Sequence, residues 1–448
     1  MTESALRQFP QDFVWGAATA SYQIEGAAFE EGKAESIWDR FSHTPGRVHN
    51  GDTGDTACDH YHRFREDVAL MGRLGLGAYR FSISWPRVMR DDGTVNEAGL
   101  DFYDKLVDEL LATGIDPHAT LYHWDLPQAL EDAGGWPARA TAHAFVNYAM
   151  AVAGRLGDRV KHFSTINEPF VVADHGYRSG SHAPGRTDPK AALAAAHNLM
   201  VAHGLGVLAL RSVAPKAKIG IVLNFESKTP ATTHLLDLEA TIVAHDHANR
   251  WFLDPIMGHG YPSEGSKAWD WNTTGLETDD LEIIATPIDY LGINYYSRTV
   301  VRSPLLPALT EPDVERTGMG WEVYPDGLTH ILQFVSSRTG DLPLFITENG
   351  AAYPVDESDP AKDPQRRSYL ARHVLAAHEA LQRGIPLRGY FAWSLLDNFE
   401  WAHGYAHRFG IVHVDFATQE RLVRESGHFW SEMARTGQLP PYRSKYEA

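Results

Sequence analysis

The stretch HFSTINEPF, His162 to Phe170, decides how the rest of the chain is read. Its first five residues include the aromatic Phe163 and the β-branched Thr165 and Ile166, residues that favour a strand. It then ends in Asn167 and Glu168, which a core would not choose, and Pro169 stops it. A second run of the same design, PLFITENGA from Pro343, ends in Glu348 and Asn349. Working outward, six more strand-like runs appear: FVWGAATA from Phe13, AYRFSIS from Ala78, DPHATLYHW from Asp116, KIGIVLNF from Lys218, DYLGINYY from Asp289 and LRGYFAWSL from Leu387. Between them lie segments of helical period, such as Leu100 to Thr113, Ala138 to Leu156 and Gln365 to Gly384. Strand then helix, repeated, calls for parallel pairing, because parallel neighbours need a crossover. No Gly/Ser/Pro-rich linker divides the chain. The expected fold is therefore α/β: a single (β/α)8 TIM barrel spanning residues 1–448, one catalytic domain with long βα loops.

The strand ends carry the functional argument. They are Gln23, Arg80, His123 with Trp124, Asn167 with Glu168, Asn224, Asn294 with Tyr296, Glu348 with Asn349, and Trp393. In a barrel these carboxyl ends converge on one face, where active sites are built. One polar end is an ordinary turn residue; a full ring of them reads as a site.

Composition narrows the partners. The 448 residues are 43% hydrophobic and 22% charged, with a formal charge of −18, which argues against nucleic acid or an anionic membrane. The lone Cys58 excludes an internal disulfide and a cysteine metal cluster. The first residues, MTESALRQFPQDF, lack a basic start and an apolar core, so no secretory signal is read and a cytoplasmic location is expected. Ala191 to Leu210 is apolar but rich in Ala and Gly and broken by histidines, which suits a buried core helix better than a membrane span. Twelve Trp, eighteen Tyr and nineteen Phe, several beside polar residues, suit a pocket with flat apolar walls and polar rims. Sugars need both.

Glu168 ends the fourth run and Glu348 the seventh, so they face each other across the barrel mouth. Two facing carboxyls in an aromatic, hydroxyl-recognising pocket suit glycoside hydrolysis. One protonates the leaving oxygen and the other deals with the anomeric carbon. A gap of about 5–5.5 Å between carboxyls gives retention and roughly 6.5–9.5 Å inversion.

FPQDFVWGAATASYQIEGA, RFSISWPRV, LYHWDLPQAL, TINEPF, GINYYS, ITENGA and SLLDNFEWAHGYAHRFGIVHVDF, in this order along practically the whole chain, resemble glycoside hydrolase family 1, the β-glucosidase family. The resemblance implies a retaining β-glucosidase acting on terminal β-D-glucosyl residues of oligosaccharides or of aryl and alkyl glycosides, with cellulose degradation among its settings. Galactosyl and fucosyl substrates stay open. It implies Glu168 as acid/base and Glu348 as nucleophile, with Arg80 and Tyr296 beside Glu348. A cation and a phenol donor both favour an ionised carboxylate. Asn294 is expected to orient Tyr296 and Glu348 or to touch the sugar's 2-hydroxyl. Gln23, His123, Asn167, Glu400 and Trp401 match positions that bind the terminal sugar's hydroxyls, Trp124 lies among them, and Trp393 matches the stacking floor. Trp321 in MGWEVYPDGL resembles the platform for the leaving portion, with Tyr177 and His182 as further rim candidates.

Phe163 and Ile166 stand where the family often has Trp and Phe, replacements of core type. Glu400 with Trp401 favours an unphosphorylated sugar, since relatives that take 6-phosphorylated sugars have small and basic residues there. Glu168, where plant thioglucosidases carry Gln, argues against that branch. The twenty-three histidines include no HExxH; His60 and His62, in DHYHRFRED, read as solvated or capping, and no metal or cofactor is expected. The glycines of GRLGLGAYR read as the turn into the second strand rather than a dinucleotide loop. A dead carbohydrate-binding barrel would lack a carboxylate or its Arg and Tyr; a metal-dependent hydrolase would need grouped ligands at strand ends. Net transglycosylation is the closer rival. The expected partner is a small glycoside or short oligosaccharide. Leaving-group preference, oligomeric state, product tolerance and thermal stability stay open.

Overall fold

The computed structural model describes residues 7–269, 276–310 and 313–439. Eight parallel strands close into a barrel in chain order: β1 (Val14–Ala18), β2 (Ala78–Ser82), β3 (Asp116–Tyr122), β4 (His162–Asn167), β5 (Lys218–Pro230), β6 (Tyr290–Val301), β7 (Leu344–Asn349) and β8 (Leu387–Trp393). Every expected run supplies one strand. β1 pairs with both β2 and β8, which seals the ring. Most strand residues within the ring are buried, as expected for strands covered on both faces. The expected helices form over Glu97–Ala112, Arg139–Leu156 and Pro364–Gln382.

Bulky rings fill the barrel axis. Gly16 in β1 has no room for a side chain: a Cβ there would lie 2.5 Å from the Phe391 ring of β8. At the strand starts, far from the carboxyl ends, His118 and His162 stack at 4.1 Å beside Phe345 and Phe391. Their nitrogens lie 3.6 and 3.5 Å from Asp116 Oδ2. These three residues could each offer a metal ligand. However, the two imidazole planes are nearly parallel, at 7°, so their in-plane lone pairs do not converge on one point.

The apolar stretch forms the helix Pro189–Val213, long and apolar enough to cross a membrane, yet 83% of its apolar window is buried against the barrel. Its histidines bond inward: His197 with Tyr261 and Asp280, and His203 with Thr165 on β4. The helix His60–Leu74 ends on Gly75, whose φ of 74° makes the expected turn before β2. One expectation needs correcting there. His62 is exposed against Asp59 and Glu30, but His60 is buried, its Nδ1 2.8 Å from Asp67, which also takes Arg421. The charged pattern DHYHRFRED hid this, because Arg421 arrives from the far end of the chain.

β5 and β6 stay paired beyond the barrel rim, out to Pro230 opposite Val301, and form one wall of the mouth. Two short antiparallel pairs complete the sheets: Arg7–Gln8 with Gln438–Leu439, and Val412–Val414 with Arg421–Val423.

Candidate active site

The carboxyl ends of the strands meet in one buried cluster. Glu168 follows β4 directly, at φ 52° and ψ 63°, in the left-handed region that side chains other than glycine seldom adopt. Its amide donates to Val222 of β5 at 2.9 Å, and Pro169 opens the helical segment that follows, which passes from Pro169–Val171 into a π-helix over Val172–Arg178. Trp124 (φ 82°) and Trp401 (φ 49°) share that backbone region. Such conformations cost about 1–3 kcal/mol each and concentrate at functional sites. Glu348 lies within β7, paired in register with Asn294 of β6.

Arg80 joins the two halves of the cluster. Its Nη1 donates to Glu348 Oε1 and its Nη2 to Asn167 Oδ1, both at 2.6 Å. Tyr296 donates its phenol to the other Glu348 oxygen at 2.7 Å. Glu348 therefore receives one charged and one neutral donor, the setting an attacking carboxylate requires. Glu168 is placed otherwise. It is 5% exposed and accepts from Asn294 Nδ2 at 2.6 Å. Burial, then the charge of Glu348, pushes its pKa up to about 8, so it holds its proton at neutral pH. Two chemically identical side chains thus sit in opposite electrostatic settings.

Of the two roles expected of Asn294, the side-chain bonds do not carry the first, an orienting contact to Tyr296 and Glu348. Its amide serves Glu168 and, at 3.2 Å, Asn167, while Thr347 donates to its oxygen at 2.7 Å; it contacts Glu168 rather than Tyr296. A register shift between Ile293 and Asn294 in the β6–β7 pairing accompanies this position. Thr347 was not among the sequence candidates, although its place beside Glu348 in ITENGA was the available signal.

The remaining lining gathers beside these carboxyls. Asn167 meets His123 Nε2 at 3.2 Å and accepts from Trp124 Nε1 at 3.0 Å on its backbone oxygen. Gln23 donates to Asn398 Oδ1 at 3.0 Å and to Phe399 O at 2.8 Å, which fixes its amide. Asn398, also missed, lies inside the quoted SLLDNFEW. The His123 ring runs nearly parallel to Trp393 and Trp401, with centroids 5.8 and 6.0 Å away. Gln23 Oε1, His123 Nδ1 and Glu400 Oε2 are buried without a protein partner. Buried polar atoms are rarely left so, and a ligand rich in hydroxyls would satisfy them. Burial and the charge of Glu348 also raise the pKa of Glu400, to about 8.

Trp321 stands at the mouth, half-buried, 5.4 Å from the Tyr296 ring and 6.1 Å from Phe409. His182 packs against Trp38 and Trp124 at 5.5 and 5.7 Å, behind the aromatic wall. Tyr177 is not a rim residue. It is fully buried in a π-helical turn, donating to Glu131 at 2.5 Å and accepting from the Trp136 amide at 3.2 Å.

Residues 5–438 match the model of a family described as glycosyl hydrolase family 1. Beta-glucosidase A of Thermotoga maritima is 46% identical over 442 residues, covering 97% of this chain and 99% of that protein. A bifunctional beta-D-glucosidase/beta-D-fucosidase of Bifidobacterium breve is 43% identical over 455 residues, covering 93% and 96%. Among solved structures, the Thermotoga maritima beta-glucosidase in complex with glucoimidazole superimposes with a TM-score of 0.93 at 46% identity, covering 96% of this chain and 99% of that one.

Proposed function

Because this chain belongs to glycosyl hydrolase family 1, we propose that it hydrolyses terminal, non-reducing β-D-glucosyl residues with retention, using Glu348 as nucleophile and Glu168 as acid and then base. The observation that carries the assignment is the asymmetry of the two carboxyls. Glu348 takes Arg80 and Tyr296; Glu168 is buried with an amide donor and raised to about 8. In the first step Glu348 forms a bond to the anomeric carbon. The glycosidic bond breaks, and Glu168 gives its proton to the departing oxygen. The resulting ester carries no charge at Glu348, so the main Coulombic reason for Glu168 to stay protonated is gone. Glu168 then takes a proton from water, whose oxygen attacks the anomeric carbon and frees Glu348. Two inversions leave the β configuration.

Gln23, His123, Asn167, Glu400 and Trp401 would bind the sugar's hydroxyls over Trp393, with Trp124 completing the wall. Gln23 and Glu400 tolerate either orientation of the hydroxyl that separates glucose from galactose or fucose. β-Fucosides and β-galactosides therefore fall within the reading, and the Bifidobacterium breve relative is named for glucosides and fucosides together.

The pH dependence follows in sign. kcat/KM needs Glu168 protonated, so activity falls as pH rises through its raised pKa, giving an alkaline limb near pH 8. A pH profile on a glucoside with a poor leaving group measures it. In Glu168→Gln, assayed with an activated leaving group, the limb disappears. Its persistence would move the titration to another group, and Glu400 is the one placed to carry it.

The substrate class has its own test. No lysine or arginine stands among Gln23, His123, Trp393, Glu400 and Trp401, so a 6-phosphate would lose its hydration beside a carboxyl with nothing to neutralise it. We expect kcat/KM for p-nitrophenyl β-D-glucoside to exceed that for its 6-phosphate by at least about 100-fold, some 2.7 kcal/mol at 1.36 kcal/mol per decade. The opposite preference would keep the two carboxyl roles and overturn the substrate class.

A further inference from the structure

Four consecutive residues of β6 hold the nucleophile and the leaving-group side of the mouth together. Tyr296 donates to Glu348 at 2.7 Å. On either side of it the strand grips the segment that carries Trp321. Tyr295 donates to the backbone oxygen of Tyr324 at 2.6 Å, and Ser297 to that of Glu322 at 2.8 Å. Arg298 closes on the Glu322 carboxylate with two parallel bonds, from Nε and Nη2, both at 2.8 Å. The guanidinium also lies 4.1 Å from the centre of the Tyr324 ring. The pair is shielded, with side chains 21% and 13% exposed.

Glu322 follows Trp321 directly, so a carboxylate held at two points fixes the backbone from which the indole projects. On its other side the segment is tied through backbone: Thr317 N donates to Trp321 O at 2.8 Å, Val323 N to Glu315 O at 2.9 Å, and Arg316 and Glu322 form an isolated bridge, so among the described residues only Arg298 grips the Glu322 side chain. Arginine suits the task because its planar fork matches a carboxylate in one orientation, whereas lysine offers a point charge.

We propose that Arg298 and Glu322 are positioning residues for the leaving group. They hold the Trp321 ring at a set distance and tilt from Tyr296, and so determine how well an extended leaving group is bound. The inference rests on the reading of Trp321 as the platform for that portion of the substrate.

Two substrates separate the roles. Cellobiose has a sugar to rest on Trp321; β-D-glucosyl fluoride has a single atom as leaving group and nothing to rest there. We expect Arg298→Met to raise KM for cellobiose about tenfold with kcat within twofold, while kcat/KM for the fluoride stays within twofold. Arg298→Lys should restore part of the cellobiose loss. Trp321→Ala should show the same split, and adding Arg298→Met to it should cost nothing further, since both act through one ring. Should Arg298→Met fold poorly, Glu322→Gln, which keeps the shape and one bond, takes its place.

Equal losses on both substrates, or losses that add in the double variant, would overturn the inference and leave the platform reading standing. A Trp321→Ala enzyme without the split would overturn the platform reading, and the inference with it.

Discussion

Replacing Glu348 with alanine lowers kcat on a β-glucoside by about 10⁵-fold, close to 7 kcal/mol at 1.36 kcal/mol per decade. The size of the loss follows from the site. Without the carboxylate no covalent intermediate forms, and the donors gathered around it, Arg80 and Tyr296, have no charge to stabilise. The side chain removed is buried, so alanine leaves a small space facing the anomeric carbon. Azide can enter it. The product expected is α-glucosyl azide, because a single displacement from that face inverts the centre. Removing the carboxylate also strands a buried guanidinium, which still has Asn167 as a partner; Glu348→Gln, which keeps the shape, separates a loss of chemistry from a loss of folding. Residual activity above about one per cent in a clean preparation, or an azide product of β configuration, removes Glu348 from its role.

Glu168→Ala is expected to divide substrates by leaving group. General acid catalysis contributes about 10²–10⁴-fold, and that factor should be lost for alkyl glucosides and cellobiose, whose leaving oxygens need a proton. For a dinitrophenyl glucoside, which leaves unaided, the glycosylation step should stay within about tenfold. Hydrolysis of its glycosyl-enzyme then slows, since no base activates water, and a burst of dinitrophenolate should precede slow turnover. Azide needs no base, so it should restore turnover and give β-glucosyl azide, the opposite anomer to that from Glu348→Ala. Equal slowing of the glycosylation step for both leaving groups would reject the acid role.

How far the sequence discloses this site depends on the range of each interaction. Barrel strands covered on both faces write themselves as short apolar runs, and their polar ends mark the mouth, so both glutamates were legible together with the ring that brings them near each other; Arg80, in the middle of β2, and Tyr296, inside β6, were placed beside Glu348 by the family resemblance. The partner of Asn294 was not legible. Whether its amide reaches Glu348 or Glu168 depends on register shifts in the β4–β5 and β6–β7 pairings, between Ser164 and Asn167 and between Ile293 and Asn294, which no local pattern announces. Tyr177 was misread because a π-helical turn rotates it inward onto Glu131. His60 was misread because Arg421, which helps bury the charge on Asp67, comes from the other end of the chain.

The closing of β1 on β8 has a bearing on how the protein is made. Gln23, just past β1, is held by Asn398 and Phe399, just past β8, and Trp430 donates to Gly16 in the first strand at 2.8 Å. The seam of the barrel therefore runs beside Gln23 and joins the first strand of the ring to the last. While the ribosome is at work, β1 waits with an open edge, the kind of surface that invites pairing with other chains and the attention of chaperones. A nascent chain stopped anywhere before β8 lacks both of the side-chain bonds that hold Gln23. Neither a chain interrupted before β8 nor a fragment that lacks it should cleave a glycoside, since activity requires the ring to be closed.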